Sequence, residues 1–242
     1  MKRSEKNKEA WLLKNVEAVL LDLDDTLLDT NIEAFVPRYL QALGHHLHKF
    51  LPPDDMIQLI LQATRQMVQN NDASRTNEQV FMEYFFKHLD VQPADILPHI
   101  KYFYDQLFPE LQTYTKPIDG VSDLVNTLVR QKYKLVIATN PLFPAKAIYH
   151  RIRWAGLTEE SFNLITTYEN SHFTKPNYRY FEEILAQIQV KPQHAIMVGD
   201  DPLNDIKPAD KAGLQTFWIN GKDKGTNKGT LSDFQKWIAT AQ

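Results

Sequence analysis

The feature that most constrains this chain is a repeated arrangement: a short apolar run that stops abruptly at a polar or acidic residue. It occurs at Val16–Asp22 (VEAVLLD), Tyr133–Thr139, Phe162–Thr167, His194–Gly199 and Gln215–Ile219. Runs this short, with little alternation of polar and apolar residues, predict strands buried on both faces. Amphipathic stretches fall between them. One starts near Asp119, one ends at Gly156 as a C-cap, and one carries Pro176 in its first turn, where a missing N–H costs nothing. A last one covers LSDFQKWIA. Strands alternating with helices predict a parallel α/β sheet with right-handed crossovers.

From Thr30 to Thr115 the alternation stops. The stretch holds helix-like segments rich in aromatic residues at helical spacing, with no convincing strand. Those aromatics are expected to form a helix-bundle core. Pro52–Pro53, Pro93 and Pro98 punctuate the helices. The expected organisation is an α/β core from residues 1–29 and 116–242, with a helical module, 30–115, inserted after the first strand.

The first run ends in DLDDT, and Asp22, Asp24, Asp25 and Asp29 fall within eight residues. Adjacent carboxylates repel unless a cation offsets them. An EF-hand register would use Asp22, Asp24 and Glu33, but its sixth position is Leu27 rather than Gly and a strand precedes it, so it is rejected. Asp200, Asp201 and Asp205 follow another apolar run, and two acidic strand ends converge if the strands are neighbours. An oxygen-only donor set favours Mg²⁺ over zinc. His45, His46 and His48 read as solvated or packed rather than as ligands. Thr139–Asn140 offers a hydroxyl, an amide and turn N–H donors, and Lys175 offers a cation, all suited to a phosphoryl group.

Composition narrows the rest. The 242 residues carry a net charge of -3 and contain no cysteine. Nucleic acid is not expected as a partner, and disulfides and Cys-ligated zinc are excluded. No apolar run is long enough to span a bilayer, so no membrane is expected and the cytoplasm is the expected compartment. Asn220–Thr230 is a polar Gly/Lys stretch without the ending of a P-loop, and reads as a surface loop.

These residues in this order resemble the haloacid dehalogenase (HAD) superfamily, within its phosphatase-like members with a helical cap after the first strand. Four signatures carry the resemblance: DLDDT at Asp22–Thr26, ATN closing the second core strand, Lys175–Pro176, and GDDPLND at Gly199–Asp205. The resemblance implies a Rossmann-like sheet of order 3-2-1-4-5 flanked by helices. Asp25 stands where many members have Gly, and Pro141 follows Asn140.

The resemblance also implies roles. Asp22 is the nucleophile and forms an aspartyl-phosphate, and Asp24 is the general acid and then the base. Thr139, Asn140 and Lys175 bind the phosphoryl group. Mg²⁺ is held by Asp22, the Asp24 carbonyl and Asp200, with Asp205 behind them orienting Lys175 or metal-bound water. Asp201 stands beside it, and Asp25 and Asp29 serve the turn or the cap entrance. The expected function is Mg²⁺-dependent hydrolysis of a small soluble phosphate ester. A phosphomutase or other phosphotransferase of the same fold, and a non-catalytic phospho-accepting or binding protein, stand as alternatives. Asn31, Arg38 and Arg75 are polar candidates for substrate contact from the cap.

Overall fold

The computed structural model describes residues 16–220 and 227–239. Most of the loop expected at Asn220–Thr230, and the basic start of the chain, lie outside the described residues. The central strand is β1 (Ala18–Leu21), paired in parallel with β4 (Lys134–Ile137) on one side and β6 (Ala195–Gly199) on the other. Beyond them lie β5 (Leu164–Ile165), β7 (Gln215–Ile219) and the short β8 (Lys228–Gly229). The sheet order β5-β4-β1-β6-β7-β8 is the expected 3-2-1-4-5 with one further edge strand.

Alternation along β1 explains the layering. Val19 and Leu21 pack with α5 (Val121–Arg130), α6 (Ala145–Trp154) and α9 (Leu231–Ala239). Ala18 and Leu20 face α7 (Arg179–Ile188) and α8 (Lys207–Lys211). All four strand residues are fully buried, so neither face of the central strand tolerates a polar side chain.

Local chemistry sets the helix ends. Gly156, at φ +76°, ends α6 in a Schellman motif: its N–H donates to Arg153 O (2.9 Å), and Leu157 N–H donates to Ile152 O (3.1 Å). Pro176 departs from expectation. Thr174–Asn177 forms a turn closed by Asn177 N–H to Thr174 O (2.9 Å), so α7 starts only at Arg179. Pro98 also falls inside a helix rather than at its boundary.

Between β2 (Leu28–Thr30) and β3 (Thr115–Pro117) run α1 (Ile32–His46), α2 (Pro53–Gln69), α3 (Asn77–Lys87) and α4 (Pro93–Tyr102). A π turn at Phe103–Leu107 and a 3-10 helix at Phe108–Tyr114 complete the insert. β2 and β3 pair antiparallel, Thr30 opposite Thr115, so the chain enters and leaves the insert through one narrow ribbon. No strand was expected within Thr30–Thr115. Three-residue strands are too short to show a period of two. No described helix is long and apolar enough to cross a membrane.

The insert is fastened to the core by aromatic packing. Phe108 stacks on Trp154 of α6 (centroids 5.5 Å) and meets Phe35 and Tyr39 of α1 edge-on (6.0 Å each). It is fully buried. Phe108→Ala should therefore cost about 3–5 kcal/mol in urea unfolding, from lost burial plus a cavity at this junction.

Candidate active site

The site follows from where the parallel strands stop. Asp22 is the first residue past β1, and its N–H still donates to Val198 O of β6 (2.9 Å). Asp200 is the first residue past β6. Thr139 lies two residues past β4, next to Ala138, whose N–H donates to Leu21 O (2.8 Å). The strand order reverses direction at β1, and ligands in open α/β sheets gather at the carboxyl ends of the strands there.

Lys175 joins these ends. Its buried Nζ donates to Asp22 Oδ1 (2.7 Å) and to Asp205 Oδ1 (2.5 Å). Burial opposes the ammonium charge, but the Asp205 and Asp22 carboxylates more than offset it and hold the lysine above its ordinary pKa. The two carboxylates share one cation. Burial, only partly countered by Lys175, pushes both Asp22 and Asp205 above the usual carboxylate range. Asn140 Oδ1 accepts from the Lys175 backbone N–H (3.2 Å), fixing the lysine's chain direction.

Asp205 is set by the turn that carries it. Asp201 caps the π turn Pro202–Ile206 through Leu203 N–H (2.7 Å) and Asn204 N–H (3.1 Å). Asp205 Oδ2 in turn accepts from Asp201 N–H (3.2 Å). Gly199 makes room: a Cβ there would lie 2.2 Å from Asp205 Oδ2. No side chain fits without displacing the carboxylate that braces Lys175.

Carboxylate oxygens of Asp22, Asp200 and Asp205 lie within 4.8 Å of one another. Both Asp205 oxygens are engaged, by Lys175 and by Asp201 N–H. From another side chain, the Asp200 carboxylate accepts a long bond from Thr26 Oγ1 (3.4 Å). Burial, reinforced by Asp205 and Asp25, raises the Asp200 pKa to about 6. A divalent, oxygen-ligated cation fits such a set, because it would offset charge that Lys175 alone leaves uncompensated.

Asp24 is placed differently. Its Oδ1 accepts from Thr30 Oγ1 of β2 (2.7 Å), and its Oδ2 pairs with Arg151 of α6. The Thr139 hydroxyl has no partner among the described residues, while its carbonyl accepts from Tyr180 OH (2.8 Å) and Thr166 Oγ1 (2.9 Å). Asp22, Lys175, Asp200 and Asp205 thus converge, with Asp24, Thr139 and Asn140 around them.

The remaining candidates lie outside this group. Asp25 sits in the turn at φ +56° and accepts from Thr30 N–H (3.1 Å), and Asp29 lies exposed in β2. Asn31 caps α1 through Ala34 N–H (3.1 Å), and exposed Arg75 pairs with Asp72 (3.1 Å) and Glu83 (2.7 Å). Arg38 bonds Gln41 (3.4 Å) on the surface. His46 and His48 bond backbone carbonyls. The residues that sequence reasoning missed are Arg151, Thr30, Tyr180 and Trp218, whose Nε1 donates to Asp200 O (2.8 Å).

A model of the haloacid dehalogenase-like hydrolase family matches residues 19–219. This chain belongs to that family and is a hydrolase. It is 26% identical over 211 residues to pyrophosphatase PpaX of Anoxybacillus flavithermus, covering 87% of this chain and 86% of that one. It is 26% identical over 211 residues to glyceraldehyde 3-phosphate phosphatase of Pyrococcus furiosus, covering 86% and 82%. The fold is shared with the magnesium-bound structure of the putative HAD-hydrolase YfnB from Bacillus subtilis. That likeness has a TM-score of 0.52 at 24% identity, covering 93% of this chain and 99% of that one.

Two outcomes follow from this geometry. Gly199→Ala should destabilise the protein by about 1–3 kcal/mol in urea unfolding, through overpacking against Asp205. Asp200→Asn should do the opposite in EDTA-treated protein. A carboxylate whose folded pKa is raised to about 6 destabilises the fold progressively as pH rises from about 4 to about 6. The variant should therefore be more stable than the parent by about 1–2 kcal/mol at pH 8, allowing for partial exposure, with the advantage vanishing near pH 4.

Proposed function

We propose that this chain is a Mg²⁺-dependent phosphatase that hydrolyses a small, soluble phosphate ester through an aspartyl-phosphate on Asp22. The observation that carries the reading is the Lys175 ammonium held between Asp22 and Asp205, beside the under-partnered Asp200, at the carboxyl end of the central strand. The relatives named above, a pyrophosphatase and a sugar-phosphate phosphatase, support it, as does magnesium in YfnB.

In this reading Asp22 attacks phosphorus in line as the bond to the leaving oxygen breaks. Lys175 has three donors, of which Asp22 and Asp205 take two, so one remains for a phosphoryl oxygen. The Thr139 hydroxyl supplies another donor, and Asn140 keeps Lys175 in place. Asp24 protonates the leaving oxygen and then takes a proton from the water that hydrolyses the aspartyl-phosphate. Asp22, Asp200 and the Asp24 carbonyl would hold Mg²⁺, and Asp205 braces Lys175 from behind. When bound, Mg²⁺ neutralises charge where an anion must approach an anion.

The insert, 30–115, serves as a cap over a core formed by 1–29 and 116–242, with the β2–β3 ribbon as its hinge. A lid of this kind suits a small metabolite and excludes water during transfer. The absence of cysteine and of a membrane-crossing helix among the described residues supports a cytoplasmic setting.

Purified protein should hydrolyse p-nitrophenyl phosphate with Mg²⁺, and EDTA should abolish the activity. Asp22→Asn should lose turnover and acid-stable phosphoenzyme labelling together; retained turnover would remove Asp22 as nucleophile. Asp24→Asn should lower turnover of an alkyl phosphate by about 10²–10⁴-fold.

A further inference from the structure

Arg151 is the one arginine among the described residues with a buried side chain, at 2% exposure. It projects from the apolar stripe of α6, alongside Ala147, Ile148 and Ile152. Enclosing a guanidinium is expensive unless its donors are satisfied. Burial lowers its pKa to about 10. Its five N–H donors are poorly used. One end pairs with Asp24 Oδ2, and its Nε is buried with no hydrogen-bond partner. Aromatic rings flank the group: Phe35 of α1 at 5.7 Å and Phe143, which follows the Thr139–Asn140 strand end, at 5.4 Å. A planar cation between rings, with donors unspent, is suited to a forked contact with carboxylate or phosphate.

Its position gives that contact a meaning. Asp24 is engaged at both oxygens, by Thr30 and by Arg151, and cannot reach a leaving oxygen without giving up a partner. Resting on the phosphatase reading above, we infer that Arg151 is a substrate-binding residue for a second anionic group, a carboxylate or a second phosphate, on the leaving-group side. That group takes the guanidinium from Asp24 and releases the carboxylate toward the leaving oxygen. The preferred substrates are thus phosphate esters or anhydrides bearing a second anion, and an ester without one turns over more slowly, because Asp24 must leave Arg151 unaided.

An apolar cavity of about 180 Å³ is lined by Phe143 and bounded also by Tyr39, Leu43, Ile60, Phe85 and Tyr168. It has room for a benzene-sized group and offers an uncharged aromatic body an alternative seat. The test therefore includes an aromatic probe.

Titration calorimetry of the intact protein with Mg²⁺ compares phosphonoacetate, ethylphosphonate and phenylphosphonate. A charge-assisted contact corresponds to phosphonoacetate binding about 10–100-fold more tightly than ethylphosphonate. Arg151→Met should bring the two within about threefold, with Arg151→Lys in between. Equal affinities in the parent protein, an unchanged preference in folded Arg151→Met, tightest binding of phenylphosphonate, or binding of none of the three overturns the inference. If Arg151→Met does not fold, the parent comparison and Arg151→Lys decide. The phosphatase reading fails separately, by absence of Mg²⁺-dependent p-nitrophenyl phosphate turnover, whatever the binding ratio.

Discussion

The structure of the site depends on one shared cation. Lys175 is almost fully buried and has two carboxylates on its ammonium, one from the end of β1 and one from the turn after β6. Removing water from all three groups is costly, and their mutual attraction offsets that cost only with close geometry. The neighbouring features secure that geometry. Asn140 sets the lysine's backbone, Asp201 builds the turn that presents Asp205, and Gly199 leaves the space it occupies. The parallel sheet supplies the rest, since the β1–β6 pairing brings two distant acidic strand ends together.

Charge is deliberately unbalanced around this lysine. Among the described residues, the cations paired with Asp22, Asp24 and Asp205 are Lys175 and Arg151, with Asp200 beside them. Burial is the main cause of the raised pKa of Asp200, and the neighbouring Asp205 and Asp25 add to it. Carboxylates that outnumber their cations in this way repel one another less when a further cation lies among them.

Much of this was legible in the chain. The run Gln215–Ile219 is β7 residue for residue, and LSDFQKWIA is α9, because buried strands and amphipathic helices have periods that show at these lengths. The convergence of Asp22 with Asp200 followed from the strand order that the family resemblance implies. The β2–β3 ribbon did not show, since three residues carry no period. Arg151 was missed for a different reason. Its signal was a charged residue on the stripe marked by Ile148 and Ile152, which reads as a surface arginine unless the helix face is drawn first. Thr30, Tyr180 and Trp218 act through hydrogen bonds across 6 to 41 positions of sequence, and only the folded chain brings their partners close.

Thr30 has a place in two structures at once. It is the last residue of β2, paired with Thr115 in the ribbon through which the insert joins the core, and its hydroxyl holds one oxygen of Asp24. The orientation of four helices and the direction of one carboxylate are therefore geared to the same residue. A chimera carrying a foreign helical insert would inherit more than a new binding surface: unless its entry strand ends in a residue with an equivalent hydroxyl, it would also reset the aim of a side chain that belongs to the core.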